Sequence, residues 1–387
     1  MSRAKKSKAV PIVLVLTILL AALAVVCFLI NPLVIQPRKD AIARSNAEAR
    51  AAVEKRNQEA EIEYQRLLSE AEAKYNTPVN PAWPENDHNL DWEVVDLSQF
   101  PLQDQSAQHS SRQELMYNGM LLVNPWHSRP DDFNDSLVVG VNKAYKGDDK
   151  IQAKDNNVTL LPTALTALHD ALMDAKAAGM EHYLVEEGYR TIEKQQEYYN
   201  KKKEKLSSKY SGEALEEATQ KEVNYPGRSE YNSGLSFELR LYDKNDPDVA
   251  SPKYSTTPEG KWMNENCWKY GLVFRFPQNK WPLETSTDKS FKTGVSVHLN
   301  VYRYVGKGNA AIMHYMDFTL EEYIEYLEEH PHIALYVDDK LQYEVYRQIV
   351  GDAEEFDVQK TGIRVGGWES SLDNMGGIIT VFDYTEI

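Results

Sequence analysis

The sequence predicts an α+β protein tethered to a membrane at its N-terminus, and three observations carry that expectation. A charge-free apolar stretch from Val10 to Ile30 follows a basic tail. A polar segment without glycine or proline then runs from Arg38 to Tyr75. From about Trp92 onward, amphipathic helical runs alternate with short β-rich runs up to the C-terminus.

Residues 1–9 carry Arg3, Lys5, Lys6 and Lys8 and no acid. The apolar segment, taken as 10–35, is long enough for one transmembrane helix. Basic residues on its N-terminal side predict a cytoplasmic N-terminus, which puts everything after Ile35 outside the cytoplasm. Ala22-Leu23-Ala24 resembles a signal-peptidase site, but the apolar stretch continues beyond it, where a cleaved signal turns polar. Cys27 follows the bulky Val26, which does not suit a lipidation site. An uncleaved, single-pass anchor is expected.

Segment 38–76 is rich in Ala, Glu, Arg, Lys and Gln, the composition of a stalk helix. Val53, Ala60 and Leu67 fall seven apart, so a homodimer through the stalk stands beside the reading of a solvated spacer. Pro78, Pro81 and Pro84 mark a linker over 77–95.

Charge excludes some partners. Taking the four N-terminal cations from the 43 basic residues leaves 39 to face 59 acids. So acidic an exported part is unsuited to nucleic acid, or to anionic polymers held by bulk charge. With Cys267 the only cysteine beyond the anchor, the exported part relies on its core and not on disulfides.

The main domain, 96–330, mixes helices and strands. Thr163 to Gly179 reads as an amphipathic helix and His182 to Val185 as a strand; Thr191 to Leu206 is a polar helix, with a further helical run to about Glu222. Leu235 to Tyr242 alternates as a strand, and Pro258 to Tyr270 is a helix closed by Gly271. Leu272 to Phe276 and Val295 to Val305 are expected strands. Thr319 and Glu322 form a capping box for a helix to Glu329. The last segment, 331–387, is expected as a β-rich extension around a helical patch.

Six signatures stand in one order: LVNPWHSRPDDF (Leu122 to Phe133), EGYRTIEKQ (Glu187 to Gln195), PGRSEYNSGLSFEL (Pro226 to Leu239), YGLVFRFP (Tyr270 to Pro277), TGVSVHLNVYRYVG (Thr293 to Gly306) and FTLEEYIEYL (Phe318 to Leu327). Together they resemble the VanY-like D-alanyl-D-alanine carboxypeptidases, over just more than half of the chain. The resemblance implies a zinc-peptidase core of the α+β class. In that family one zinc is held by a His and an Asp of an S-x-H-x-x-G-x-x-x-D run and by a second His in a later E-x-x-H strand, whose Glu is the general base. Three such ligands leave the fourth zinc position open for a water whose pKa falls to about 7.

At the matching positions this sequence has Tyr231 for the first His, Glu238 for the Asp, His298 for the general-base Glu and Val301 for the second His. Glutamate can ligate, a neutral phenol is a poor ligand, and valine offers no donor. The expectation is therefore no catalytic zinc and a pseudo-peptidase. An active carboxypeptidase with a rearranged metal site, using Glu238 and His298, and a structural scaffold of an envelope complex are the alternatives.

The resemblance also implies a peptide pocket. Arg190 matches an arginine that meets the peptide's terminal carboxylate, and Tyr189, Gln195 and Ser229 are the other ligand-binding candidates. Glu187 departs from the family, leaving internal pairing of Arg190 with Glu187 or Glu238 as the other reading. The implied partners are a peptidoglycan stem peptide or an envelope protein. His127 matches a family His read as structural rather than as a ligand, His169 reads as surface or core filler, and His330 and His332 could bind adventitious metal although two ligands define no site.

Overall fold

The computed structural model describes residues 9–77 and 90–385; the expected basic tail and most of the proline-containing linker lie outside them. Residues up to Asn76 and residues from Thr77 onward form two separate units.

The first unit is one run of helix, Ala9–Ile30 and Gln36–Tyr75 joined by a π-helical turn at Asn31–Ile35. Pro32 lies in that turn, and having no amide N–H it cannot make the α-type bond to the preceding turn. The N-terminal part is long and apolar enough to cross a membrane. The polar part is supported by neighbours one turn apart, where Arg66 bridges Glu63 at 2.6 Å and Glu70 at 2.5 Å.

The second unit contains thirteen strands among its described residues: β1 (Trp92–Asp96), β2 (Ser106–Ser111), β3 (Val139–Gly140), β4 (Thr159–Leu160), β5 (Tyr183–Glu187), β6 (Ser236–Leu241), β7 (Leu272–Phe274), β8 (Val301–Tyr304), β9 (His332–Val337), β10 (Lys340–Ile349), β11 (Glu355–Lys360), β12 (Gly367–Leu372) and β13 (Gly377–Asp383). They build two main antiparallel sheets. One has the order β5-β6-β8-β7 and the other β1-β9-β10-β13-β12.

The helix Pro162–Ala177 covers the first sheet. Its Leu165, Leu168 and Leu172 recur at helical spacing and pack with Val185, Phe237, Leu239 and Tyr302. Proline at its first turn suits a helix start, and no side chain caps it. Helices Lys307–Met316 and Leu320–Glu329 cover the second sheet, with Ile312, Tyr323, Ile324 and Leu327 against Leu335, Val345 and Ile379. The expected capping box is present: Thr319 Oγ1 accepts from Glu322 N at 3.3 Å, and the Glu322 carboxylate accepts from Thr319 N at 2.9 Å.

Three expectations need correction. No helical patch interrupts 331–387, whose described residues instead hold five strands. Nor does this β-rich segment stand apart. β1, from before the main domain, pairs with β9 along Trp92–Asp96, and the sheet shares its core with the two preceding helices. The strand expected over 295–305 exists only as Val301–Tyr304, because β6 supplies partners only from Val301 onward.

Candidate ligand cleft

The cleft is built where β5, β6 and β8 end. Beyond β5 the chain passes so close to β4 that a Cβ on Gly188 would lie 2.5 Å from the Thr159 carbonyl oxygen, so only glycine fits there. Tyr189 N donates to that oxygen at 2.7 Å, which directs Tyr189 and Arg190 to different surroundings. Tyr189 turns away from the cleft, its ring stacked on Phe133 and its hydroxyl accepting from Arg129 at 2.8 Å. Arg190 lines the cleft, its guanidinium 4.4 Å from the Tyr231 ring centroid and 4.5 Å from that of Tyr198.

Arg190 donates to Glu187 Oε2 at 2.9 Å and to Gln195 Oε1 at 2.8 Å. Of the two internal partners considered for it, Glu187 is the one it meets. Its Nε is buried without a hydrogen-bond partner. Gln195 is fixed in turn by donating to Asn224 O at 2.6 Å.

The opposite wall comes from the 3-10 turn Glu230–Ser233 that leads into β6. Buried Asn232 holds this turn in place, donating to Arg190 O at 2.6 Å and accepting from Gly227 N at 3.1 Å. Ser229, Tyr231 and Glu238 line the cleft, and Tyr231 donates its hydroxyl to Glu238 Oε2 at 3.1 Å. Glu238 on β6 stands opposite Val301 on β8. Val301 is fully buried in a small apolar cluster with Tyr231 and Phe276. Burial raises the Glu238 carboxyl above the ordinary carboxylate range, against the Tyr231 hydrogen bond that lowers it.

Tyr231 and Glu238, seven residues apart, thus meet in space with the distant Val301. His298 does not join them: it is exposed and stacks on Trp281 at 4.8 Å. The cleft measures about 390 Å³ and is completed by Val295, Val297 and Leu299.

The other histidines stand in separate surroundings. His127 contacts Asn124 at 2.9 Å, and His169 stacks on Tyr145 at 3.8 Å. His330 meets Asp96 at 2.8 Å, whereas His332 is buried against Glu344 at 2.7 Å. Among the described residues, no three His, Cys, Asp or Glu side chains converge in a way that could hold a metal ion.

Sequence reasoning missed the ionic network behind the cleft wall. Glu230 accepts from Arg275 Nε at 2.8 Å, from Ser236 Oγ at 2.6 Å and from Arg303 Nη1. Arg275 also forms a two-pronged pair with Glu321 at 2.9 and 2.6 Å, and Arg303 donates to the Gly119 and Leu121 carbonyls at 2.7 and 2.8 Å. All four side chains are buried. Burial would raise the Glu230 carboxyl, but the charges of Arg303 and Arg275 outweigh it and hold it at about 2. The available signal was a charged residue inside each of four otherwise apolar or motif-bearing runs.

The fold around this cleft is that of a D,D-peptidase. It is similar to the solved vancomycin-resistance D,D-dipeptidase VanXYg in complex with a D-Ala-D-Ala phosphinate analogue, with a TM-score of 0.50 and 21% identity over 72% of this chain and 99% of that one. Residues 157–289 match the VanY family model, described as D-alanyl-D-alanine carboxypeptidase, and the chain carries a domain of that family. Relatives include a D-alanyl-D-alanine carboxypeptidase of Enterococcus faecium, 29% identical over 272 residues, covering 70% of this chain and 77% of that protein. The bifunctional D-Ala-D-Ala dipeptidase and D-Ala-D-Ala carboxypeptidase VanXYC of Enterococcus gallinarum is 28% identical over 155 residues, covering 40% of this chain and 73% of that protein.

Proposed function

We propose that this chain is a single-pass membrane protein with a cytoplasmic N-terminus, whose extracytoplasmic carboxypeptidase-like domain binds a cell-wall peptide without hydrolysing it. The observation that carries the reading is the cleft wall itself. Where the family resemblance calls for three zinc ligands, a phenol is hydrogen-bonded to a half-buried carboxylate beside a valine. That donor set does not fit a catalytic zinc, which needs three N, O or S ligands and an open position. Glu238 remains one oxygen donor, while His298 lies outside the wall and cannot complete a rearranged site without moving the chain.

The pocket keeps features useful for binding. The guanidinium of Arg190, with its unpartnered Nε, sits between two tyrosine rings above an apolar floor. A peptide carboxylate would share Arg190 with Glu187, so affinity rather than turnover is what this cleft is suited to supply. Relatives that are named carboxypeptidases and dipeptidases of D-Ala-D-Ala indicate the peptide class.

The test uses the full chain in detergent micelles, purified without chelator and offered Zn²⁺. Less than about a tenth of an equivalent of zinc, no release of D-alanine from an acyl-D-Ala-D-Ala peptide, and saturable binding of that peptide weakened by Arg190→Ala are expected. Near-stoichiometric zinc lost on Glu238→Ala would overturn the reading. Peptide binding unchanged by Arg190→Ala would reject this cleft as the site.

A further inference from the structure

A second cleft, of about 830 Å³, lies between the helix Pro162–Ala177 and the C-terminal sheet. It is separate from the cleft at Arg190 and shares none of its lining residues. Aromatic rings from both sides form much of its wall: Tyr270 and Tyr304 from the peptidase-like side, Tyr343 and Trp368 from the sheet. Between them stands Glu369 of β12. Its carboxylate is held by one group, the Tyr304 hydroxyl, at 3.2 and 3.3 Å. A Cβ on Gly306 would lie 2.9 Å from Glu369 Oε2, so a glycine at φ +88° makes room for the carboxylate.

We propose that this cleft binds a ligand bearing a primary ammonium or guanidinium group, with the Glu369 carboxylate as its counter-ion and the aromatic rings as its walls. A half-buried carboxylate without a cationic partner is costly to leave charged, and a cation set against aromatic faces supplies what is missing. The other acids of the cleft point the same way. Asp170 and Asp174 of the covering helix and Asp383 of β13 add negative charge at the wall. Asp174 accepts from Tyr270 at 2.7 Å, and Asp383 accepts from the Thr385 N–H and hydroxyl at 2.8 and 2.6 Å. His169, Lys269 and Lys307 are the basic groups of the lining, and none of them forms an ion pair with Glu369.

Proton linkage makes the proposal sharp. Burial raises the Glu369 carboxyl to about 7, with the Tyr304 hydrogen bond opposing the rise. A cation that binds the charged form must therefore expel a proton below that pH. Affinity then increases with pH up to neutrality and levels off above it.

The experiment titrates the full chain in neutral detergent with n-butylguanidinium and n-butylammonium, using butyrate and n-butanol as anionic and neutral controls. Calorimetry at several pH values, in buffers of different ionisation enthalpy, reads both affinity and proton release. The expected result is binding of the two cations alone, up to about tenfold tighter per pH unit below pH 7, with proton release on binding. Glu369→Gln should weaken it at least about tenfold and abolish the proton release. Tyr304→Phe keeps the carboxylate but removes its hydrogen bond, so it should move the pH midpoint upward while binding persists at high pH. Equal binding of butyrate or butanol, no binding of either cation, or unchanged binding by a folded Glu369→Gln protein would each overturn the proposal.

Discussion

Glu230 and Tyr231 are consecutive residues of one 3-10 turn, and they open onto regions built on different terms. Behind the wall, Glu230, Arg275, Arg303 and Glu321 form a closed set in which every charge faces an opposite charge. In front of it, Tyr231, Glu238 and Val301 form a wall with one hydrogen bond and an apolar contact. A buried charge without its partner is expensive, so each member of the network constrains the others. The cleft wall has no such mutual constraint. Substitution at Tyr231, Glu238 or Val301 therefore makes little demand on the network behind the wall, and the cleft's chemistry can vary while the buried charges keep their partners.

Breaking the network should have the largest effect. Glu230→Ala leaves two buried arginines short of a counter-charge and should cost about 3–5 kcal/mol in chemical denaturation. Glu230 also sets an acid limit. Its folded pKa lies below the ordinary 4.5, so its contribution is present above about 4.5 and is lost as pH falls towards 2. A stability profile that stays flat between pH 5 and 2.5 would contradict this.

Glu369 is the opposite case, a raised carboxyl with no ionic partner. The folded protein holds its proton up to about pH 7, whereas the unfolded chain releases it near 4.5, so stability falls as pH rises through that window. Glu369→Gln should therefore stabilise the protein by up to about 3 kcal/mol at pH 8, with the gain vanishing near pH 4. Thermal melts at the two pH values check the sign.

Tyr231→Phe removes the hydrogen bond to Glu238 and should cost about 1 kcal/mol, less than any break in the network. The smallest expected effect is that of Glu187→Ala. Freeing Arg190 from its partner should raise affinity for a peptide carboxylate about threefold, with stability changed by less than about 1 kcal/mol. Peptide titrations on the variant and the parent protein would show it, and weaker binding would count against Arg190 as the carboxylate group.

Much of the fold was legible because it is written locally. The apolar N-terminal helix, the polar helix after it and the helix start at Thr319 and Glu322 depend on composition, 3.6-residue spacing and caps within one turn. Local reading failed where a partner decides the state. The residues after Val295 have β-like character, but strand structure begins only at Val301, where β6 offers a partner. The helical patch expected somewhere within 331–387 is absent among the described residues, where β10, for one, is held as a strand by β9 and β13 on its two edges.

The same division holds at the site. By itself the sequence determined the residue types at Tyr231, Glu238, His298 and Val301, which the resemblance implies are the family's zinc and base positions. It also determined that Arg190 has an acid three residues away able to pair with it. Only the tertiary structure decided that Tyr231, Glu238 and Val301 meet while His298 stands aside, and that Tyr189 faces away from its neighbour Arg190. It alone showed that four charges from distant segments close into one buried network, and that Glu369 lies opposite Tyr304 in a second cleft. The physical reason is common to all of these. Burial and pairing are properties of chain segments brought together from afar, and no local window of sequence records which segments those will be.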